Sequence, residues 1–204
     1  MGTLLNRRRY MGGGSSLPYD AEVEYIQSNG TQILDTGIQG GSDVGYKIDF
    51  QIIDSNVNYA HVWGSTKIPY APKLYRSGNT SNWLIEYGNG TTKTASYILR
   101  GSTSYERHII EYTNGVVYLD NVSKLNIGTK GFGNLNFCLF GYFGENNLNV
   151  KAMVYSCKIW VDGTLVRDFI PVRCNAIGYL YDKVSKQLFG DANGGSFTAG
   201  PDKT

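Results

Sequence analysis

Glu22 and Glu24 flank Val23, and a strand's period of two puts both carboxylates on one face. Paired carboxylates are the machinery of glycoside hydrolysis, but this pair lacks the spacing and an exposed strand edge accounts for it better. The two histidines, His61 and His108, have no serine or cysteine nucleophile motif beside them. His108 shares the parity of Ile110 and Tyr112, as a hydrogen-bonded histidine at a core margin would, and His61 leads into Val62-Trp63. Cys138, Cys157 and Cys174 are odd in number and lack C-x-x-C spacing, so neither a zinc site nor a disulfide framework is indicated. There is no P-loop, no G-x-G-x-x-G after a strand and no H-E-x-x-H. No catalytic residue and no cofactor is expected.

The residues with the best claim to bind a ligand are aromatic. Trp63, Tyr70, Tyr75, Arg76, Asn79, Asn82, Trp83, Tyr87 and Asn89 lie close in sequence. Sugars stack their apolar faces on aromatic rings and hydrogen-bond to amides and guanidinium groups, so Trp63, Tyr75, Arg76, Asn79 and Trp83 form a candidate glycan site. Pro69 and Pro72 favour a loop over 65–82, where binding residues concentrate. The competing reading is that Trp63 and Trp83 fill the core, the usual fate of large aromatics in β-proteins.

The elements that must position these groups are strands. Of 204 residues, 26 are Gly, 16 Tyr and 5 Pro, with 41% hydrophobic and 18% charged. That is too apolar for a disordered chain, and glycine shows no three-residue period, which excludes collagen. No apolar run approaches the roughly 18 residues of a membrane-spanning helix. Glu106–Thr113, Asn114-Gly115 and Val116–Asp120 form the clearest hairpin. Asn-Gly suits a type I′ turn, and pairing across it sets Tyr112 opposite Val117 and Ile110 opposite Leu119 on an inner face. Lys151–Val161 and Thr164–Pro171 flank Asp162-Gly163 in the same way, and Glu22–Gln27 and Gln32–Thr36 flank Asn29-Gly30. Many short strands with Gly/Asn turns predict a sandwich or jelly roll.

The formal net charge is +2, of which Arg7, Arg8 and Arg9 supply three, leaving −1 on the rest of the chain. The body therefore offers no basic face for nucleic acid. Residues 1–18 read as a basic arm with a Gly12–Ser16 hinge, joined to one domain over 19–204. A solvated tail is the plainer reading of the arginines. Met1–Asn6 has no apolar signal-peptide run, and the cysteine usage fits synthesis in a reducing cytoplasm.

Two stretches carry a resemblance. Asn114-Gly-Val-Val-Tyr-Leu-Asp-Asn121 is similar to the central hairpin of LamG and concanavalin A-like jelly rolls, with Asn121 in place of the usual Gly. Tyr155-Ser-Cys-Lys-Ile-Trp-Val-Asp-Gly163 resembles a late strand of such domains. A narrower set joins Val23–Gly37, Leu165–Arg173, Gly178–Gly190 and Gly200–Lys203. It resembles LamG-like proteins of tailed phages and prophages of gut bacteria, crAss-like phages among them. Many of these begin with an Arg-rich leader similar to Arg7–Gly13. The resemblance spans roughly residues 19–200.

It implies an all-β antiparallel β-sandwich jelly roll with an extended N-terminal arm. The implied role is a virion structural protein: a head fibre, capsid decoration or tail appendage, made in the host cytoplasm. The arm residues Leu4, Leu5, Arg7, Arg8, Arg9, Tyr10 and Met11 would dock on other virion proteins. The implied assembly is a homo-oligomer, with a trimer expected of fibre parts, and the outward domain has host glycan as a candidate ligand. Neither a nucleic-acid nor a membrane partner is expected. Relatives sometimes hold Ca²⁺ at the sandwich rim, which makes Asp120 and Asp162 weak calcium candidates beside plain turn capping. Glycosidases of this fold use a Glu-x-Asp-x-Glu strand, absent here, so a non-enzyme is expected. The alternatives are a stand-alone carbohydrate-binding module and, behind it, a glycoside-active enzyme.

Overall fold

The computed structural model describes residues 17–39, 43–54, 59–65, 72–78, 80–88, 93–128, 135–142 and 149–204. In the first half of the chain the strands are β1 (Ala21–Glu22), β2 (Ile26–Gln27), β3 (Leu34–Asp35), β4 (Val44–Asp54), β5 (His61–Gly64), β6 (Lys73–Arg76), β7 (Trp83–Gly88) and β8 (Lys93–Leu99). After a 3₁₀ turn at Gly101–Tyr105 come β9 (Arg107–Thr113), β10 (Val116–Leu119), β11 (Val122–Asn126), β12 (Cys138–Leu139), β13 (Lys151–Val161), β14 (Thr164–Cys174), β15 (Ile177–Asp182), β16 (Gln187–Phe189) and β17 (Phe197–Ala199). They build an all-β, sandwich-like molecule of an 11-stranded and a 6-stranded antiparallel sheet.

Alternation decides which face each long strand buries. Along β4, Val44, Tyr46, Ile48, Phe50 and Ile52 point inward, while Gly45, Lys47, Asp49 and Gln51 line the outer face. The β9–β10 hairpin turns at Asn114 (φ 50°) and Gly115 (φ 79°), and Tyr112 pairs Val117 and Ile110 pairs Leu119, as the turn chemistry requires. The smaller sheet supplies Trp63, Leu74, Trp83, Ile85 and Tyr87 to the same core. Tyr46 and Tyr87 share a hydroxyl–hydroxyl hydrogen bond across the interior. Burial pushes both phenols well up from the ordinary tyrosine range.

Within the larger sheet the pairings β13–β14, β14–β15, β15–β17, β17–β2 and β2–β13 close on themselves. Closure leaves these strands no free edges within the ring. The segments Val23–Gly37, Leu165–Arg173 and Gly178–Gly190, singled out by sequence, converge here. Arg167 on β14 reaches the Thr36 carbonyl with Nε at 2.9 Å and stands 3.6 Å from Asp182 on β15. Gly178 is where two strands and Ile26 crowd together. A Cβ there would lie 3.0 Å from Ile26 Cγ2 and 3.0 Å from the Thr198 carbonyl oxygen. Gly178→Ala is therefore expected to cost about 1–3 kcal/mol by overpacking, read as a lowered urea midpoint.

Two expectations need correction. Asn29-Gly30 does not close a hairpin, since β2 belongs to the larger sheet and β3 to the smaller. The crossing is held by polar contacts: Asn29 N–H donates to Gln32 Oε1 at 2.9 Å, and Gln32 Nε2 donates to the Ser196 carbonyl at 3.0 Å. Residues 65–82 are not wholly loop, because β6 pairs with β5 and β7 directly after Pro72. A proline before a strand's first residue removes no ladder bond.

Candidate functional site

The structure moves the glycan candidates apart. Trp63 and Trp83 are each 0% exposed. Trp63 packs against Tyr46 and Phe50 with ring centroids 5.8 and 5.3 Å away. Neither indole has a face open to a sugar, because both lie on the core side of the smaller sheet with Leu74 and Ile85. Tyr75 stacks on His61 at 5.5 Å and donates its hydroxyl to Glu86 Oε2 at 2.9 Å. Burial first, then the Glu86 carboxylate, raises its pKa. Arg76 donates through Nε to the Thr80 carbonyl at 2.7 Å. These side chains lock the smaller sheet and do not form a common platform. Asn79, Tyr70 and Asn89 lie outside the described residues, as do Leu4, Leu5, Arg7, Arg8, Arg9, Tyr10, Met11 and the hinge.

The other chemistry-bearing residues have structural employment. Glu22 and Glu24 are exposed on either side of buried Val23. His108 meets Asp120 Oδ2 through Nδ1 and the Thr103 carbonyl through Nε2, each at 2.8 Å. It is a satisfied histidine at the core margin. Asp120 also accepts the Ile109 N–H at 2.9 Å, and Asp162 Oδ1 accepts the Asp43 N–H at 3.2 Å. The two calcium candidates do not converge. Asp120 sits beside β9 at Ile109, which pairs Asp49, whereas Asp162 follows Val161, which pairs Val44. Among the described residues no group of three or more His, Cys, Asp or Glu is placed to hold a metal. Cys138 and Cys157 are buried, none of the three cysteines forms a disulfide, and burial pushes the Cys157 thiol up.

A different site emerges on the outer face of the larger sheet. A groove of about 230 Å³ opens where the Asn114-Gly115 and Asp162-Gly163 turns lie near one another, lined by Asp43, Gly45, Glu111, Thr113, Asn114 and Trp160 among others. Three strands assemble it. Trp160 on β13 pairs Gly45 on β4, and the next β4 residue, Tyr46, pairs Tyr112 on β9. A Cβ at position 45 would stand 3.1 Å from the Tyr112 carbonyl oxygen, 3.8 Å from Trp160 Cβ and 3.9 Å from Trp160 Cε3. The indole thus leans over a residue with no side chain, and glycine in a strand interior marks a place where something approaches the backbone closely. Trp160 is half-buried, with part of its surface left to solvent.

The polar walls suit hydroxyl groups. Glu111 Oε2 lies 2.9 Å from Lys47 Nζ, an exposed pair worth at most about 1 kcal/mol. Among the described residues Asp43 has no cationic partner. A second cavity, of about 330 Å³, adjoins the first, with Glu111 and Thr113 shared and Tyr118 and Asn121 added. Parity alone signalled this site: Lys158 and Trp160 share the wet face of β13, opposite Cys157 and Ile159. An aromatic residue on a solvent parity is the observation sequence reasoning passed over.

Further along the same face, Arg107 grips Asp49 with two 2.8 Å bonds and stacks 3.7 Å over the Tyr155 ring. The hydrogen bond to Asp49 raises the guanidinium pKa. This arginine is committed to the sheet.

Fold and groove define an all-β protein of two antiparallel sheets with a shallow, aromatic-walled surface site. The chain matches no family model, and no curated protein is detectably similar to it.

Proposed function

We propose that this chain is a non-enzymatic structural component of a phage particle, a LamG-like jelly roll held by its N-terminal arm and displaying a glycan-adhesive groove. The observation that supports the reading is the separation between the groove and the residues that follow the arm. The segment after Pro18 is fastened to the far end of β14: Asp20 N–H donates to the Arg173 carbonyl at 2.8 Å, and Arg173 bonds Asp202 Oδ2 at 2.8 Å. The groove lies at the other end of that strand, beside the turn that precedes Thr164. Nine residue steps along β14 separate them by about 30 Å at ~3.3 Å per residue. A domain tethered at one end points its opposite end outward.

Residues 1–18 extend up to about 60 Å when fully stretched, long enough to thread along a neighbouring subunit. Its three arginines suit acidic grooves, which guanidinium forks bind bidentately. Deleting residues 1–18 is expected to leave the unfolding transition unchanged and to abolish incorporation into particles, read by quantitative electrophoresis of purified virions. Full occupancy by the shortened chain would defeat the anchoring role, whereas absence of the intact chain from particles would leave a stand-alone carbohydrate-binding module.

A further inference from the structure

We infer that the groove selects an uncharged oligosaccharide of at least two units, laid across strands β13, β4, β9 and β10. The inference rests on the adhesive reading above and specifies its ligand. Trp160 walls one end of the site and Tyr118 the other, with Glu111 and Thr113 shared by the two adjoining cavities between them. Trp160 pairs Gly45, and Glu111 pairs both Lys47 and Tyr118, so the two aromatic residues stand three strand spacings apart. That is about 14 Å at ~4.8 Å per strand, longer than one pyranose ring. A monosaccharide touches one aromatic residue, and a short linear oligosaccharide touches both.

Charge determines the class of sugar. Asp43 and Glu111 face the Trp160 cavity, and Asp162 stands at its rim with Oδ1 3.2 Å from the Asp43 nitrogen. Among the described residues no cation lines either cavity; Lys47 is engaged by Glu111 at 2.9 Å, and Lys158, two residues from Trp160 on the same face, lies 3.6 Å from Asp168. The charge on the described lining, from Asp43 and Glu111, is therefore negative. Carboxylates accept charge-assisted hydrogen bonds from neighbouring hydroxyls, so neutral sugars gain from it. Sialylated, uronic or sulfated sugars bring a like charge into a partly desolvated groove and are repelled. Gly45 keeps the floor open, since any side chain there projects into the space beside the indole.

The test is titration calorimetry on the full chain with β-linked glucose and galactose oligomers of one to four units, and with the same oligomers carrying sulfate or a terminal sialic acid. Neutral oligomers are expected to bind at least about tenfold more tightly than either their monosaccharides or their acidic forms. Trp160→Ala should lower oligomer affinity tenfold or more, while Trp160→Phe retains most of it and guards against a folding defect. Tyr118→Ala should reduce oligomer affinity to about the monosaccharide level. Acidic oligomers binding as tightly as neutral ones would overturn the charge selection and leave glycan adhesion standing. Oligomer binding insensitive to both Trp160→Ala and Tyr118→Ala would put the ligand elsewhere and overturn the inference. If neither the neutral nor the acidic oligomers bind, both the inference and the adhesive role fail, whereas the anchoring role stands or falls on the arm deletion.

Discussion

Replacing either Trp63 or Trp83 by alanine is expected to lower the unfolding free energy by about 3–5 kcal/mol. Each indole is 0% exposed, and Trp63 makes edge contacts with Tyr46 and Phe50 of the opposite sheet. Truncation removes buried apolar surface and leaves a cavity that two sheets joined by many ladders cannot close. Urea denaturation followed by circular dichroism measures the loss. The same substitutions separate the two roles a tryptophan can have: a sugar platform would lose affinity and keep stability, and these two should do the reverse. A surface-like response, with a midpoint shift worth less than about 0.5 kcal/mol, would contradict their place in the core.

Asp182→Ala should be comparably damaging, at about 3–5 kcal/mol. The Asp182 side chain is 0% exposed and stands 3.6 Å from Arg167. Its carboxylate accepts the N–H groups of Asp168, Val184 and Ser185 at 2.8, 3.1 and 3.1 Å. Burial works against the charge, but these donors and the Ser185 hydroxyl outweigh it and hold the carboxyl below the usual carboxylate range. The sign of the pH effect follows. Because the folded pKa is depressed, the stabilisation is fully present above the unfolded value of about 4 and is lost as pH falls through the lower folded value. Asp182→Asn should remove that part of the acid dependence in a pH series of urea midpoints. An unchanged acid limb would mean that other carboxylates govern it.

Legibility in the sequence tracked how local the deciding interaction was. The β9–β10 hairpin was readable because Asn114-Gly115 fixes the turn and the period of two then fixes every partner. The same kind of dipeptide misled at Asn29-Gly30, where the path is set by Gln32 bonding to Ser196, 164 positions away. Trp63 gave no parity signal, since His61, Val62, Trp63 and Gly64 are all buried and the strand does not alternate. Trp160 did carry one, on the wet face with Lys158. Asp120 and Asp162 looked alike as turn carboxylates, and only sheet register separates them along β4.

By itself the sequence determined that this is an all-β chain of short antiparallel strands, with inner and outer faces assigned wherever apolar and polar residues alternate. Those features rest on turn residues and a two-residue period, interactions between near neighbours. The tertiary structure alone decided the closed ring of five strands, the burial of Trp63 and Trp83, and the groove. In that groove Asn114 and Gly163, from hairpins far apart in the chain, line one site because β4 pairs with β9 on one side and β13 on the other. Strand order is set by which apolar faces bury best together, and that sum runs over the whole molecule.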